Sequence, residues 1–101
     1  MNPYFAEFVG TVIFLTIILA AIYFITSGIY KVLLLSFVIG MGLFIGILIC
    51  VLLGGPGYLN PAVAIMLGIK DNKGFNYTSL MILMELLAVI AVLSIYYLIS
   101  Y

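Results

Sequence analysis

Gly55-Pro56-Gly57-Tyr58-Leu59-Asn60-Pro61-Ala62-Val63-Ala64-Ile65-Met66-Leu67-Gly68 is the stretch that decides the fold. A loop rich in Gly and Pro leads into Asn60, a residue suited to a helix N-cap, and then into Pro61 at the first helical position, where a missing N–H costs nothing. The pattern predicts a helix that starts there and stops at Gly68, about two turns and roughly 12 Å later. Bilayer hydrocarbon is about 30 Å thick. A helix over 60–68 is therefore too short to span and reads as re-entrant. Irregular backbone at membrane depth is tolerated only where protein buries it or where it lines a wet cavity. A pore or a binding site is the first expectation.

Composition supplies the membrane context. The 101 residues are 68% hydrophobic and 6% charged, with a mean hydropathy of +1.51, whereas soluble domains carry about 25% charged residues. The sequence reads as one small integral membrane domain over 1–101. Net charge is zero and all three cations are Lys, so no basic patch favours nucleic acid. Cys50 is the only cysteine, which excludes an intrachain disulfide. With no His, and with Glu7, Asp71 and Glu85 far apart in the sequence, neither a metal site, a cofactor site nor a catalytic dyad is expected. The reading is of a non-enzyme. The N-terminus lacks a basic n-region, and its apolar run is longer than a signal h-region, so it reads as a membrane helix rather than a leader.

Around the decisive stretch the chain divides into three spans. The first, over about 4–26, carries Glu7, Gly10, Thr11 and Phe14 at helical spacing. A carboxylate facing lipid is unfavourable by roughly 2.5 to 3.5 kcal/mol at a helix centre and by less near an end. Glu7 is expected either to point inward or to snorkel at the interface. Ser27-Gly28-Ile29-Tyr30-Lys31 is a short connector that returns the second span, over about 31–53, antiparallel to the first. Ser36 and Gly40 are followed there by Gly42, Gly46, Cys50 and Gly54 in a ladder at i+4 spacing. Small residues so spaced allow close helix approach, either within the chain or toward another copy. The polar stretch Ile69-Lys70-Asp71-Asn72-Lys73-Gly74-Phe75-Asn76 reads as an aqueous loop. Asn76-Tyr77-Thr78 matches a glycosylation sequon but abuts a span and is discounted. The third span, over about 77–99, puts Glu85, Ala88 and Val92 on one face. Tyr4, Phe5, Tyr23, Tyr30, Phe75, Tyr77, Tyr96, Tyr97 and Tyr101 sit near span ends, as interfacial belts do. The plan is an all-α integral membrane protein with three transmembrane helices and one re-entrant half-helix. Lys70 and Lys73 lie on one side against Lys31 on the other, a bias slight enough to permit both orientations.

Two stretches carry a family resemblance. Ala6-Glu7-Phe8-Val9-Gly10-Thr11 resembles the opening motif of the aquaporin (major intrinsic protein) family, and Leu59-Asn60-Pro61-Ala62-Val63 resembles its Asn-Pro-Ala box. Both occur in the family's order, with a small-residue helix between them. Family members carry two such three-helix repeats in inverted topology, and this sequence resembles the first. The resemblance implies that Asn60 points its amide into a narrow pore, with Pro61 and Ala62 completing the box. It also implies that the half-helix behind them places the positive end of its dipole near the midplane. Glu7 would brace the re-entrant loop by accepting backbone hydrogen bonds. Glu85 stands where the family usually has Gln, and is grouped with Glu7 as a loop-bracing carboxylate. Tyr58 replaces the common His before the box. The second-helix constriction residue maps to Met41, or to Gly40 without a gap. Val63 follows the box, and the chain has no Arg to form the family's filter.

One half-helix reaches only the midplane, so a second repeat is needed to complete a pore. The expectation is an antiparallel homodimer, or a higher homo-oligomer, that conducts water or a small neutral solute. One alternative is a non-conducting structural subunit docked to other membrane subunits in a larger assembly, such as a virion or a membrane complex. Another is a small dimeric transporter in which Glu7 or Glu85 exchanges protons with a substrate. The lipid bilayer is the partner common to all three readings.

Overall fold

The computed structural model describes residues 2–100. Four helices follow in order: α1 (Pro3–Phe24), α2 (Lys31–Leu52), α3 (Pro61–Lys70) and α4 (Phe75–Ser100). There is no strand among the described residues. α1, α2 and α4 are each long and apolar enough to cross a membrane. By length and composition the chain is an integral membrane protein. The spans differ from expectation only at their ends. α1 stops at Phe24, with Ile25 as its C-cap, and α4 starts two residues early at Phe75. Tyr101 lies outside the described residues.

Local chemistry accounts for the helix starts. Asn60 Oδ1 accepts the Ala62 N–H at 2.8 Å, with Pro61 at the first helical position. Asn2 does the same for α1, accepting the Tyr4 N–H at 2.7 Å ahead of Pro3. Asn-Pro therefore opens two helices in this chain.

The helix ends follow a second shared pattern. After α2, Gly54 adopts φ 99°, and the Gly55 and Gly54 N–H groups bond back to the Cys50 and Val51 carbonyls at 2.8 and 3.0 Å. After α3, Asn72 at φ 55° takes the same left-handed role. Lys73 and Asn72 donate to the Gly68 and Ile69 carbonyls at 2.9 and 3.2 Å. Both are Schellman closures. They correct the expected stop at Gly68, because helix continues through that residue to Lys70. Gly68 is buried against α4, where a Cβ would collide with Thr78 Oγ1. Its role is close packing rather than termination.

α1 is the central element. It packs on α2 along one side and on α4 along the other, and α3 packs on α4. The α1–α2 seam is made by glycines. A Cβ on Gly10 would lie 2.8 Å from the Gly46 carbonyl oxygen and 2.8 Å from Cys50 Cβ, and one on Gly46 would lie 2.8 Å from the Gly10 carbonyl oxygen. Gly42 takes the Ile17 side chain in the same way. Gly42, Gly46 and Cys50 therefore serve packing within the chain. Gly54 does not belong to that face. It is exposed, and its positive φ closes α2.

Between α2 and α3 the chain doubles back. Gly57 lies against Ile47 and Val51, and Leu59 reaches Gly46. Gly46 precedes the end of α2 by six residues, a retreat of about 9 Å along the helix axis at 1.5 Å per residue. The loop thus packs back along the last turns of α2 before α3 starts at Pro61.

Candidate functional site

The doubled-back segment is held by one carboxylate. Glu7 is fully buried. Its Oε1 accepts the Leu59 N–H in a short bond, and its Oε2 accepts the Tyr58 N–H at 3.3 Å and the Cys50 thiol at 3.3 Å. Three donors converge on one carboxyl group, so its buried oxygens are not left without partners. Leu59 needs such help. Its φ of 56° is left-handed, unfavourable for a branched residue by about 1–2 kcal/mol. The Glu7 bond and the insertion of its side chain at the Gly10–Gly46 crossing over-determine that conformation.

Leu59 sets the direction of the next residue. Asn60 is extended, with φ −146° and ψ 128°. Because Oδ1 is committed to the Ala62 N–H, the capping geometry assigns Nδ2 as the outward group. Asn60 is exposed and its Nδ2 donates to no group among the described residues. Ala62, Ile65, Met66 and Ile69 are exposed at i, i+3, i+4 and i+7, and so form one face of α3 with the amide at its head. The opposite face carries buried Ala64 and Gly68 against α4. The arrangement offers two free N–H donors at the start of a helix, beside an apolar wall.

Not every residue read from the sequence joins this group. Tyr58 is buried with Ala64 and Met81, flanked by Tyr4 and Tyr77, so it backs α3 rather than facing the Asn60 side. Val63 packs against the same cluster and Pro61 is half-buried. Met41 and Gly40 lie on an exposed part of α2, with open space around Gly40, and α2 makes no contact with α3 among the described residues. One chain does not bring them to Asn60. Glu85 is buried but donates to and accepts from no group among the described residues. It does not brace the loop, since both converging N–H groups go to Glu7. Thr11, on the same face of α1 as Glu7, spends its hydroxyl on the Glu7 carbonyl at 2.8 Å.

Sequence reasoning passes over Leu59, Thr78 and Asn2. No local signal marks a left-handed leucine or the partner of a buried glycine. The Asn2-Pro3 pair repeats the Asn60-Pro61 signature and is recognisable by that alone. Larger apolar hollows lie elsewhere. A groove of about 660 Å³ between α1 and α4 is lined by Val12, Thr16, Tyr23, Ala91, Ile95 and Tyr96. A second of about 570 Å³ lies between α3 and α4. Neither includes Asn60 or Glu7. The charged groups outside the bundle do little: Lys70 pairs with Asp71 at 3.1 Å in the open. Among the described residues no group of His, Cys, Asp or Glu is arranged to hold a metal ion.

Compared with protein-family models, with curated proteins and with solved structures, the chain matches none.

Proposed function

We propose that this chain is an aquaporin-like channel subunit. It conducts water or a small neutral solute past Asn60, and the path is completed by a second copy in inverted orientation. The observation that carries the reading is the retreat of about 9 Å before α3, fixed by Glu7 at Tyr58 and Leu59. A ten-residue helix that follows such a retreat reads as a re-entrant half-helix, and backbone so placed needs a wet cavity or protein around it. At its head, an amide with two free donors matches the hydrogen-bond acceptors of water or a hydroxylated solute. The N-terminal end of the helix dipole disfavours cations there. The exposed apolar face of Ala62, Ile65, Met66 and Ile69 gives such a solute no competing partner. α3 is about 15 Å long, half of the hydrocarbon thickness, and an inverted copy supplies the remainder. Inverted repeats place their sites at the interface between halves.

The test is osmotic. Proteoliposomes carrying the purified protein should shrink faster under a hypertonic step than protein-free vesicles of the same lipid. Equal rates would overturn conduction and favour a structural subunit. A cysteine introduced at Asn72 should be modified by impermeant reagent from both sides of sealed vesicles of a native membrane; access from one side alone would exclude the inverted pair.

A further inference from the structure

The groove of about 570 Å³ between α3 and α4 changes character along its length. Its inner end, between Ile65 and Ile82, is apolar, while toward the α3–α4 loop it is lined by Asn72, Thr78 and Ser79. Its volume falls in the range of about 300–1,000 Å³ usual for ligand clefts. Thr11, Ser36 and Ser100 each direct their hydroxyl to the carbonyl four residues back. Thr78 and Ser79 form no such bond among the described residues, so their hydroxyls remain available in the groove. Lys73 stands in the chain between Asn72 and Gly74, both part of the lining. Its ammonium lies 5.7 Å from the centroid of the Tyr77 ring and meets no carboxylate among the described residues, whereas Lys70 pairs with Asp71 at 3.1 Å. The first turn of α4 carries no acidic residue. The mouth of the groove is therefore positively charged.

We propose that the α3–α4 groove seats an anionic phospholipid, with one acyl chain along Ile65, Ile69 and Ile82 and the phosphate at Asn72, Lys73 and Ser79. In a bilayer the apolar walls alone select nothing, because lipid tails are as apolar as leucine. Selection rests with the mouth. There the Lys73 ammonium, the Asn72 amide and the Ser79 hydroxyl can all donate to the charged oxygens of a phosphodiester. A second copy of the chain fits this mouth poorly: of the three acidic residues, Glu7 and Glu85 are buried and Asp71 already meets Lys70. Ile69 and Phe75 line the same end and are largely exposed, so the loop end of the groove presents apolar side chains beside a lysine, the combination that suits a membrane interface. Exposed charges add little to the stability of a fold, which leaves Lys73 free to serve a ligand. Asn60, Ala62 and Met66 lie outside the lining. A seated lipid leaves the Asn60 amide open, and the inference stands whether or not the protein conducts.

Native mass spectrometry of the purified full chain, released from micelles supplied with equal amounts of phosphatidylglycerol and phosphatidylcholine, reads the preference directly. A lysine near an anionic lipid surface is worth about five-fold in affinity, so the wild type should retain phosphatidylglycerol about five-fold over phosphatidylcholine, one molecule per chain. Lys73→Gln should bring retention down to the phosphatidylcholine level, and Lys31→Gln, at the exposed start of α2, should leave it unchanged. Ser79→Leu, which puts an apolar side chain into the groove, should lose the bound lipid while far-UV circular dichroism stays helical. Equal retention of the two lipids by the wild type, a loss in Lys31→Gln as large as in Lys73→Gln, or undiminished retention in Ser79→Leu would overturn the proposal. A lipid-free wild-type dimer that dissociates in Ser79→Leu would overturn it too, since a second copy would then be the occupant.

Discussion

Gly46→Ala and Gly40→Ala are the same substitution on the same helix, and the structure predicts opposite outcomes. In a helix interior, Ala is favoured over Gly by about 1 kcal/mol. At Gly40 nothing lies within 4 Å of an added Cβ, so the variant should match or exceed the wild type by up to about 1 kcal/mol. At Gly46 the Cβ would sit 2.8 Å from the Gly10 carbonyl oxygen and 2.7 Å from Leu59 Cδ2. The leucine terminus cannot swing freely because its backbone is held left-handed by Glu7, and a carbonyl in a helix does not rotate away. α1 and α2 must separate. Overpacking of this kind destabilises by about 1–3 kcal/mol, and after the propensity gain of about 1 kcal/mol the net loss is up to about 2 kcal/mol. Reversible unfolding by SDS in mixed micelles, followed by far-UV circular dichroism, measures both variants against the wild type. A Gly46→Ala protein as stable as Gly40→Ala would refute the glycine seam.

Three further outcomes follow from the loop and from α3. Glu7→Gln retains one acceptor oxygen but replaces the other with a donor, leaving one of the Tyr58 and Leu59 N–H groups unpaired at a penalty of about 1–3 kcal/mol; amide exchange at those two positions should accelerate while the α1–α2 seam stays protected. Gly68→Ala should destabilise because its Cβ meets Thr78 Oγ1, and Thr78→Ala in the same chain should restore most of the loss; additive losses in the double variant would show that the two side chains do not share that space. Asn2→Ala should lose about 0.5–2 kcal/mol of capping and fray the start of α1 without changing any transport rate, since the same Asn-Pro pair there serves a helix end alone.

Much of the architecture is legible in the sequence because a bilayer imposes long apolar runs, and α1, α2 and α4 each satisfy that demand on their own residues. The start of α3 is legible for a similarly local reason: Asn60 and Pro61 carry their capping chemistry within three residues. What the sequence hides depends on distant partners. Gly68 looks like a terminator until Thr78 is seen across from it, and Gly54 looks like one more rung until its positive φ separates it from Gly42 and Gly46. Asn72, three residues after a β-branched Ile69, closes α3 in a role more often taken by glycine. Glu7 and Glu85 read as equivalents on their own helices. They differ because Tyr58, Leu59 and Cys50 all converge on one of them, a fact of the tertiary arrangement. The same distance-dependence removes Tyr58 from the candidate surface, since its neighbours Ala64 and Met81 are six and twenty-three positions away.

The central claim is that the Asn60 amide is the contact for a passing solute, and one substitution isolates it. Asn60→Asp keeps an acceptor oxygen for the Ala62 N–H, so the helix start is preserved, while both free N–H donors are removed and a negative charge is added. Osmotic water permeability of proteoliposomes, measured by stopped-flow light scattering at matched protein content, should fall in Asn60→Asp to the protein-free rate with the unfolding midpoint in SDS unchanged. Water flux equal to that of the wild type would contradict the account.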